Sequence, residues 1–330
     1  MPSASPGRRL MAVVVLVPVL AALALWAFAW PAARTAPRDL PLGVAGPAAA
    51  TAQVEKRLEQ REGAFEIHRY ADEAAAREAV EARTVYGAVA VTPRGPVLLT
   101  ASAASPAVAQ LLQQAVAGQA DGTRVGTVDV VPLPEGDPRG AGLNAAALPL
   151  ALAGIAAGAV VTVAGLRGVR AAAALTGASV LVGAVAAGIA HNWLGILTGG
   201  WWAEAGVLGL TTLAVAGAVA GLAALLGRAG LGIGGALVML LGNPFSGAAT
   251  APELLPEPAG AIGQWLPPGA GVTLLRSVAY FDGAAAVGPA LTLTWWAVLG
   301  LGAVLLGGTL RTRKAGSAPA AERQELAAVG

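Results

Sequence analysis

Long uncharged runs of apolar residues alternate with short charged segments along this chain. A helix needs about 20 apolar residues to cross the hydrocarbon core of a bilayer. A charge at the centre of such a helix costs about 2.5–3.5 kcal/mol on insertion scales, and these runs avoid that cost. The pattern therefore predicts six transmembrane helices. The six runs are residues 10–30, 145–166, 171–192, 205–227, 230–249 and 284–310.

The first run has a second interpretation. Residues 10–30 follow Arg8 and Arg9, which is the order of a basic segment and an apolar core in a cleaved signal peptide. The apolar core of such a peptide usually has about 7–15 residues, and this run is longer. We therefore expect a retained membrane anchor.

Composition supports the membrane class. Of the 330 residues, 56% are hydrophobic and 12% are charged, whereas soluble domains have about 25% charged residues. The chain lacks cysteine and has two histidines far apart in sequence, which argues against a metal centre. It has no P-loop or hydrolase motif and no basic nucleic-acid footprint. We expect a non-enzymatic protein without a cofactor, whose main partner is the lipid bilayer.

Charge separates the two sets of helix ends. One set is flanked by basic residues, namely Arg8, Arg9, Arg167, Arg170, Arg228, Arg311, Arg313, Lys314 and Arg323. The short segments at the other ends hold one basic residue, Arg276, with Glu204, Glu253, Glu257 and Asp282. Cytoplasmic loops are enriched in Lys and Arg. We predict a multi-pass protein of the cell membrane with both termini, residues 1–9 and the tail 311–330, in the cytoplasm.

One long polar stretch, residues 34–144, falls between the first and second runs, and the same rule places it outside the cell. Strand and helix patterns alternate within it, which predicts an α/β domain. Residues 38–135 are numerous enough to fold alone. Asp72 and Ser105 are predicted helix caps. The predicted strands are residues 40–46, 65–70, 85–92, 97–101 and 127–131. The predicted helices are residues 48–62, 72–83 and 106–117. Ala75, Ala79 and Ala82 are predicted to lie on one face of helix 72–83, and Gly118 is predicted to end helix 106–117.

Residues 145–310 are predicted to form a five-helix membrane domain with a proline-broken outer segment, residues 243–283. Proline removes a backbone donor and ends or kinks a helix, and Asn243-Pro244 lies inside the fifth run. Non-helical backbone at membrane depth occurs only where protein or a cavity surrounds it. We expect the fifth helix to end near Asn243 and the segment to dip back into the membrane. The alternatives are a kinked helix that continues to Ala251 and an ordinary outer loop.

Two smaller features of the sequence each have two interpretations. The pairs Gly154/Gly158 and Gly217/Gly221 have GxxxG spacing, which permits close helix packing within a bundle or in a dimer. His191 lies at an outer helix end, where interface anchoring is favoured over a proton-relay role.

The proline-broken segment resembles the membrane subunits of type-2 ABC exporters. Their pattern "N-P-x-S-G … P-x-x-L-P … L-P" before the last span corresponds to residues 243–247, 252–256 and 266–267. One span, a large outer domain and five further spans are similar to the phage-infection-protein-like (YhgE/Pip) branch. In that branch the outer domain carries phrases like residues 85–88 and 130–140.

The resemblance implies a six-span permease fold, a dimer (homodimer or heterodimer) and a separate ATPase subunit. It also implies short re-entrant helices after the fifth span. The residues expected to form an outer gate or pathway are Asn243, Pro244, Ser246, Gly247, Pro252, Pro256 and Pro267. Arg167 and Arg170 are the candidate ATPase contacts, although the link that holds them, about residues 166–171, shows no amphipathic coupling helix.

The function expected from this resemblance is export of a hydrophobic or amphipathic solute, powered by the partner ATPase. The competing hypothesis is a non-transporting membrane scaffold or receptor, whose outer domain binds envelope or surface partners. Neither hypothesis needs a catalytic residue in this chain.

Overall fold

Long apolar helices and one small sheet make up the protein in the computed structural model, which describes residues 6–117 and 125–316. The helices are α1 (Pro6–Ala33), α2 (Ala48–Glu59), α3 (Glu73–Glu81), α4 (Pro106–Ala117), α5 (Ala141–Val163), α6 (Gly168–Ala187), α7 (Trp201–Leu226), α8 (Arg228–Ala236), α9 (Ala259–Trp265), α10 (Pro267–Tyr280) and α11 (Val287–Gly316). The strands are β1 (Leu40–Ala45), β2 (Phe65–Tyr70), β3 (Gly87–Thr92), β4 (Gly95–Thr100) and β5 (Gly126–Asp129). The predicted stop at Gly118 and residues 317–330 of the predicted tail lie outside the described residues.

Three shorter helical turns complete the description. α6 and α8 continue directly into π-helical turns, Gly188–Trp193 and Leu237–Gly242. A 3₁₀ turn spans Pro252–Leu254.

The sheet has the strand order β2-β1-β3-β4-β5. β1 pairs in parallel with β2 and β3, β3 and β4 form an antiparallel hairpin, and β4 pairs in parallel with β5. All five predicted strands and all three predicted helices are present in this α/β domain, with ends shifted by a few residues. The prediction of a small α/β layer is therefore confirmed.

Local capping follows the sequence in this domain, but one predicted helix face is wrong. Asp72 accepts a hydrogen bond from the backbone N–H of Ala75 at 2.9 Å, and Ser105 caps α4. The buried side chains of α3 are Ala76, Ala79 and Val80, so Ala79 is buried as predicted, whereas Ala75 is only partly buried. The helix ends at Glu81, and Arg83 adopts a positive φ of 60°, so Ala82 lies beyond the regular helix and is exposed.

In the part of the chain that the structure describes, five helices are long and apolar enough to cross a membrane, namely α1, α5, α6 with its π-helical turn, α7 and α11. The fifth of the six predicted runs, residues 230–249, does not form a helix of that length. α8 and its π-helical turn contain nine and six residues, which rise about 22 Å. The hydrocarbon core is about 30 Å thick. The glycine-rich helix stops early because Asn243-Pro244 ends it.

α7 is the central helix of the bundle, and 72% of its most apolar window is buried. α5 runs parallel to it, because Gly154 lies against Val215 and Gly158, one turn later, lies against Val219. α1 is different: its apolar window is only 6% buried, and its packing is concentrated near its C-terminal end.

α11 also runs parallel to α7. Gly300 lies against the backbone of Gly217, and Gly307 lies against Ala224. The pairs Gly154/Gly158 and Gly217/Gly221 therefore pack within the chain: the pair on α5 faces α7, and the pair on α7 faces α11. We call the end where α5, α7 and α11 begin the domain end, because the α/β domain lies there.

The parallel direction of α7 and α11 constrains the chain between them. Residues 227–286 have to travel from the far end of the bundle back to the domain end. α8 covers the first part of this path along α7, where Gly234 lies against Val219. The proline-broken segment, residues 243–283, covers the rest.

Substitution of Gly300 tests this packing. A Cβ at Gly300 would overlap the backbone carbonyl group of Gly217, so Gly300→Ala should destabilise the chain by about 1–3 kcal/mol through overpacking. Gly302, half a turn away, has no atom within 4 Å of its added Cβ. Gly302→Ala should be neutral or stabilising, because alanine favours helix. Thermal unfolding in detergent measures both, and equal melting temperatures for the two variants would contradict the α7–α11 contact.

Candidate functional site

The end of the helix at Asn243 organises the candidate site. In the preceding π-helical turn the N–H of Asn243 donates to the carbonyl of Val238 at 2.9 Å. The helix ends at Gly242, directly before Asn243-Pro244. The predicted end near Asn243 is confirmed, and the alternative of a kinked helix that reaches Ala251 is wrong.

Backbone carbonyls after the break receive side-chain donors. The Arg276 guanidinium, on α10, donates to the carbonyl of Ala248 at 2.6 Å and to that of Gly247 at 3.4 Å. Gln264 donates to the carbonyl of Ser246 at 3.1 Å. The Ser246 hydroxyl donates to the carbonyl of Asn243 at 2.7 Å, one residue beyond the break. The irregular backbone is thus stabilised by side chains from α9 and α10.

The proline-broken segment is a compact folded unit. Pro252 begins the 3₁₀ turn and Pro267 begins α10, where a missing N–H is tolerated. Pro256 accepts a hydrogen bond from the N–H of Ala259 at 2.7 Å. α9 lies so close that a Cβ at Gly263 would overlap the carbonyl of Phe245. All seven predicted gate residues belong to this unit.

The α/β domain is fastened to this unit by polar contacts. The hydroxyl of Tyr86 donates to the Glu253 carboxylate at 2.8 Å. Ser105 donates to the carbonyl of Thr250 at 2.8 Å. The Arg83 guanidinium donates to the carbonyl of Thr273 at 3.0 Å and to the hydroxyl of Ser277.

Apolar contacts join the same two parts. Phe281 packs into the buried cluster on one side of the sheet, beside the alanines of α3, and its ring lies 5.2 Å from the Arg83 guanidinium carbon. Ala251 and Leu254 pack into the cluster on the other side, beside Leu98. Residues of the proline-broken segment therefore complete both cores of the domain.

Burial affects the protonation of side chains at this junction. It raises the pKa of Tyr86, and the neighbouring Glu253 carboxylate raises it further. Tyr86 therefore remains a protonated donor to Glu253 at neutral pH. Neither Arg83 nor Arg276 has a carboxylate within ion-pair distance among the described residues. Arg83 donates hydrogen bonds to a carbonyl and a hydroxyl, and Arg276 donates to two carbonyls.

A large apolar groove runs beside this unit, with a volume of about 1200 Å³. Its walls come from α7, α8, α9 and α11, and every lining residue is uncharged. On α11 it extends from Gly288 to Ala303, a length of about 22 Å. Trp265 and Gln264 line it near the middle of the bundle, where the carbonyl of Trp265 accepts the indole N–H of Trp296 at 2.8 Å, and Trp295 lines it with 62% of its surface exposed. None of the seven predicted gate residues lines this groove.

Arg167 and Arg170 lie at the opposite end of the bundle. The four residues between α5 and α6 form no helix, and Arg167 is the residue before the first turn of α6. Both arginines are exposed. Arg167 also borders a cavity of about 80 Å³ between α5, α6, α7 and α11.

Sequence reasoning missed two buried polar residues. The sequence predicts Arg276 as a charge of an outer segment, but only 4% of it is exposed. Glu204 is fully buried, and one of its oxygens lies 2.8 Å from Nδ1 of His191. A signal existed for the second: the two residues flank the same end of adjacent apolar runs, thirteen positions apart.

Comparison of the chain with protein-family models, curated proteins and solved structures finds no match. The resemblance to type-2 ABC exporters therefore rests on the short sequence patterns alone.

Removal of the Tyr86 hydroxyl tests the junction between the domain and the proline-broken segment. Tyr86→Phe leaves the Glu253 carboxylate without this donor, which should cost about 1–3 kcal/mol of stability. Tyr70→Phe is the matched control, because Tyr70 lies on β2 and no hydrogen bond of its hydroxyl is found among the described residues. Thermal unfolding of the full chain in detergent should show a lower melting temperature for Tyr86→Phe only. An equal effect of both variants would contradict the role given to this contact.

Proposed function

We propose that this chain is the permease-like membrane subunit of an ABC-type exporter, which moves a hydrophobic or amphipathic solute outward with a separate ATPase. The observation that carries the proposal is the uncharged groove between α7, α8, α9 and α11. Ligand pockets for small molecules have volumes of about 300–1,000 Å³. A groove of about 1200 Å³ accommodates a long or multi-chain apolar solute.

The shape of the groove suits transport through a membrane. Its length along α11, about 22 Å, is most of the hydrocarbon thickness of about 30 Å. A charged solute would find no counter-charge in its walls, so the expected substrate has an apolar body.

The proposed membrane placement follows the clustering of charged and aromatic residues. Arg167, Arg170 and Arg228 lie at the end opposite the α/β domain, which fits a cytoplasmic side. Trp193 and Trp202 lie near the domain end with 78–84% of their surfaces exposed, as expected in a headgroup layer. In this placement the domain is extracytoplasmic, α8 and the re-entrant proline-broken segment make the sixth crossing, and both termini are cytoplasmic.

In this proposal the proline-broken segment is the outer gate. It borders the groove through α9 and is bound to the domain through Glu253 and Ser277. A rigid movement of the domain would therefore move the segment with it. Residues such as Pro252 and Pro267 shape the gate by starting its helical turns and do not contact the solute.

The ATPase is proposed to bind at Arg167 and Arg170, and two copies or two related chains would form the dimer. One observation favours the competing scaffold function: the link between α5 and α6 has four residues and no coupling helix. A scaffold would use the α/β domain for binding and would leave the groove to structural lipid.

A binding experiment tests the groove, with a neutral pyrene-labelled diacylglycerol as the probe and purified chain in nanodiscs. Leu299 lines the groove and is 63% exposed, whereas Val298, the next residue, is 56% exposed and does not line it. Leu299→Gln should weaken binding by about tenfold, because a polar group replaces a buried apolar contact. Val298→Gln should bind as the wild type does.

Transport is measured separately in inside-out membrane vesicles with the same probe. ATP-dependent movement that is lost in the double variant Arg167→Ala/Arg170→Ala supports the exporter. Binding to the groove without ATP-dependent movement favours the scaffold, and equal binding by both Gln variants contradicts the solute site itself.

A further inference from the structure

The groove between α7, α8, α9 and α11 is lined by five polar but uncharged side chains, which are Gln264, Trp265, Thr292, Trp295 and Trp296. Three of the five form hydrogen bonds within the chain. The hydroxyl of Thr292 donates to the carbonyl of Gly288 at 3.2 Å. Gln264 donates to the carbonyl of Ser246 and accepts the hydroxyl of Thr273 at 2.7 Å. The indole N–H of Trp296 donates to the carbonyl of Trp265 at 2.8 Å.

The other two side chains, those of Trp265 and Trp295, have no such partner. No hydrogen bond of either indole N–H is found among the described residues. Both side chains line the groove, and Trp265 is 75% exposed, while Trp295 is 62% exposed. The groove therefore presents two hydrogen-bond donors that no acceptor of the described chain satisfies.

The adjacent Trp296 shows how a structural tryptophan differs from these two. It packs against the buried cluster to which α7 and α10 contribute, and its N–H is paired within the chain. Trp295 precedes it by one position, about 100° around the helix, and belongs to none of the buried clusters of the described residues. Packing within the chain thus accounts for Trp296 but does not account for a tryptophan at position 295.

Both unpaired indoles lie inside the hydrocarbon core in the proposed membrane placement. The apolar span of α11 is residues 287–309, so residue 298 is its centre. Trp295 is about 4.5 Å from this centre along the helix axis, whereas the edge of the hydrocarbon is about 15 Å from it. Trp265 lies at a similar level, because its carbonyl accepts the N–H of Trp296. An indole N–H needs a partner where water is excluded, and at this depth the partner has to come from a molecule in the groove.

We propose that Trp265 and Trp295 determine the specificity of the groove by donating hydrogen bonds to carbonyl or ester oxygens of the solute. This inference rests on the proposed function and names the class of solute, which is a neutral molecule with an oxygen acceptor within its apolar body, such as an acyl ester. A pure hydrocarbon leaves both donors unpaired, and a site built to form a hydrogen bond discriminates against the analogue that lacks it. A carboxylate would bring a charge into walls that hold no cation, which is costly.

Two pyrene-labelled probes of equal chain length test the inference, a fatty-acid methyl ester and an alkane. Their binding to the full chain in nanodiscs is measured by pyrene anisotropy and corrected for partition into empty nanodiscs. The wild type should bind the ester about tenfold more tightly, because the alkane leaves the donors unpaired. The double variant Trp265→Phe/Trp295→Phe keeps both aromatic rings and should bind the two probes equally. Trp202→Phe is the matched control, because Trp202 is 84% exposed and does not line the groove, and it should keep the wild-type preference.

The single variants keep the test decisive if the double variant does not fold, because each should lower the preference for the ester by about threefold. Leu299→Gln separates this inference from the proposed function, since it should weaken the binding of both probes. If Leu299→Gln binds both probes as the wild type does, the groove itself is contradicted, and the inference with it. A groove that binds the ester and the alkane equally in the wild type, or that keeps its preference in the tryptophan variants, overturns the inference alone.

Discussion

The structure depends on one constraint: backbone carbonyls freed inside an apolar bundle have to find donors. Each unsatisfied group at membrane depth costs several kcal/mol, and the chain breaks its helix at Asn243-Pro244 in such a place. The donors come from two sources. Arg276 and Gln264 donate to the carbonyls of residues 246–248 from within the segment, and Ser105 of the α/β domain donates to the carbonyl of Thr250. Ser105 thus both stabilises the irregular backbone and attaches the domain to the helices.

This attachment connects three parts of the molecule. The proline-broken segment contacts the domain on one side, borders the groove on another, and meets residues 194–200, between α6 and α7, at its C-terminal end. Movement of any one of these parts changes the packing of the others.

The sequence predicts most of the fold, because its signals are local. Apolar runs, the caps Asp72 and Ser105, and the helix end at Asn243 depend on neighbouring residues, and the structure contains all of them. The fifth span was overestimated, because an apolar run does not show where a helix stops within it. Arg276 and Glu204 appeared as ordinary loop charges, because burial arises from contacts between distant segments. The groove is likewise a property of four helices together.

Exchange measurements on Arg276→Gln test the central claim most directly. The account predicts that amides of residues 243–251 exchange at least about tenfold faster than in the wild type, because two carbonyls lose a charged donor. Residues 168–187 of α6 should keep their protection, which excludes general unfolding. Arg77→Gln, which removes a surface pair with Glu73, should leave both regions unchanged. Equal protection of residues 243–251 in the wild type and Arg276→Gln would contradict the account.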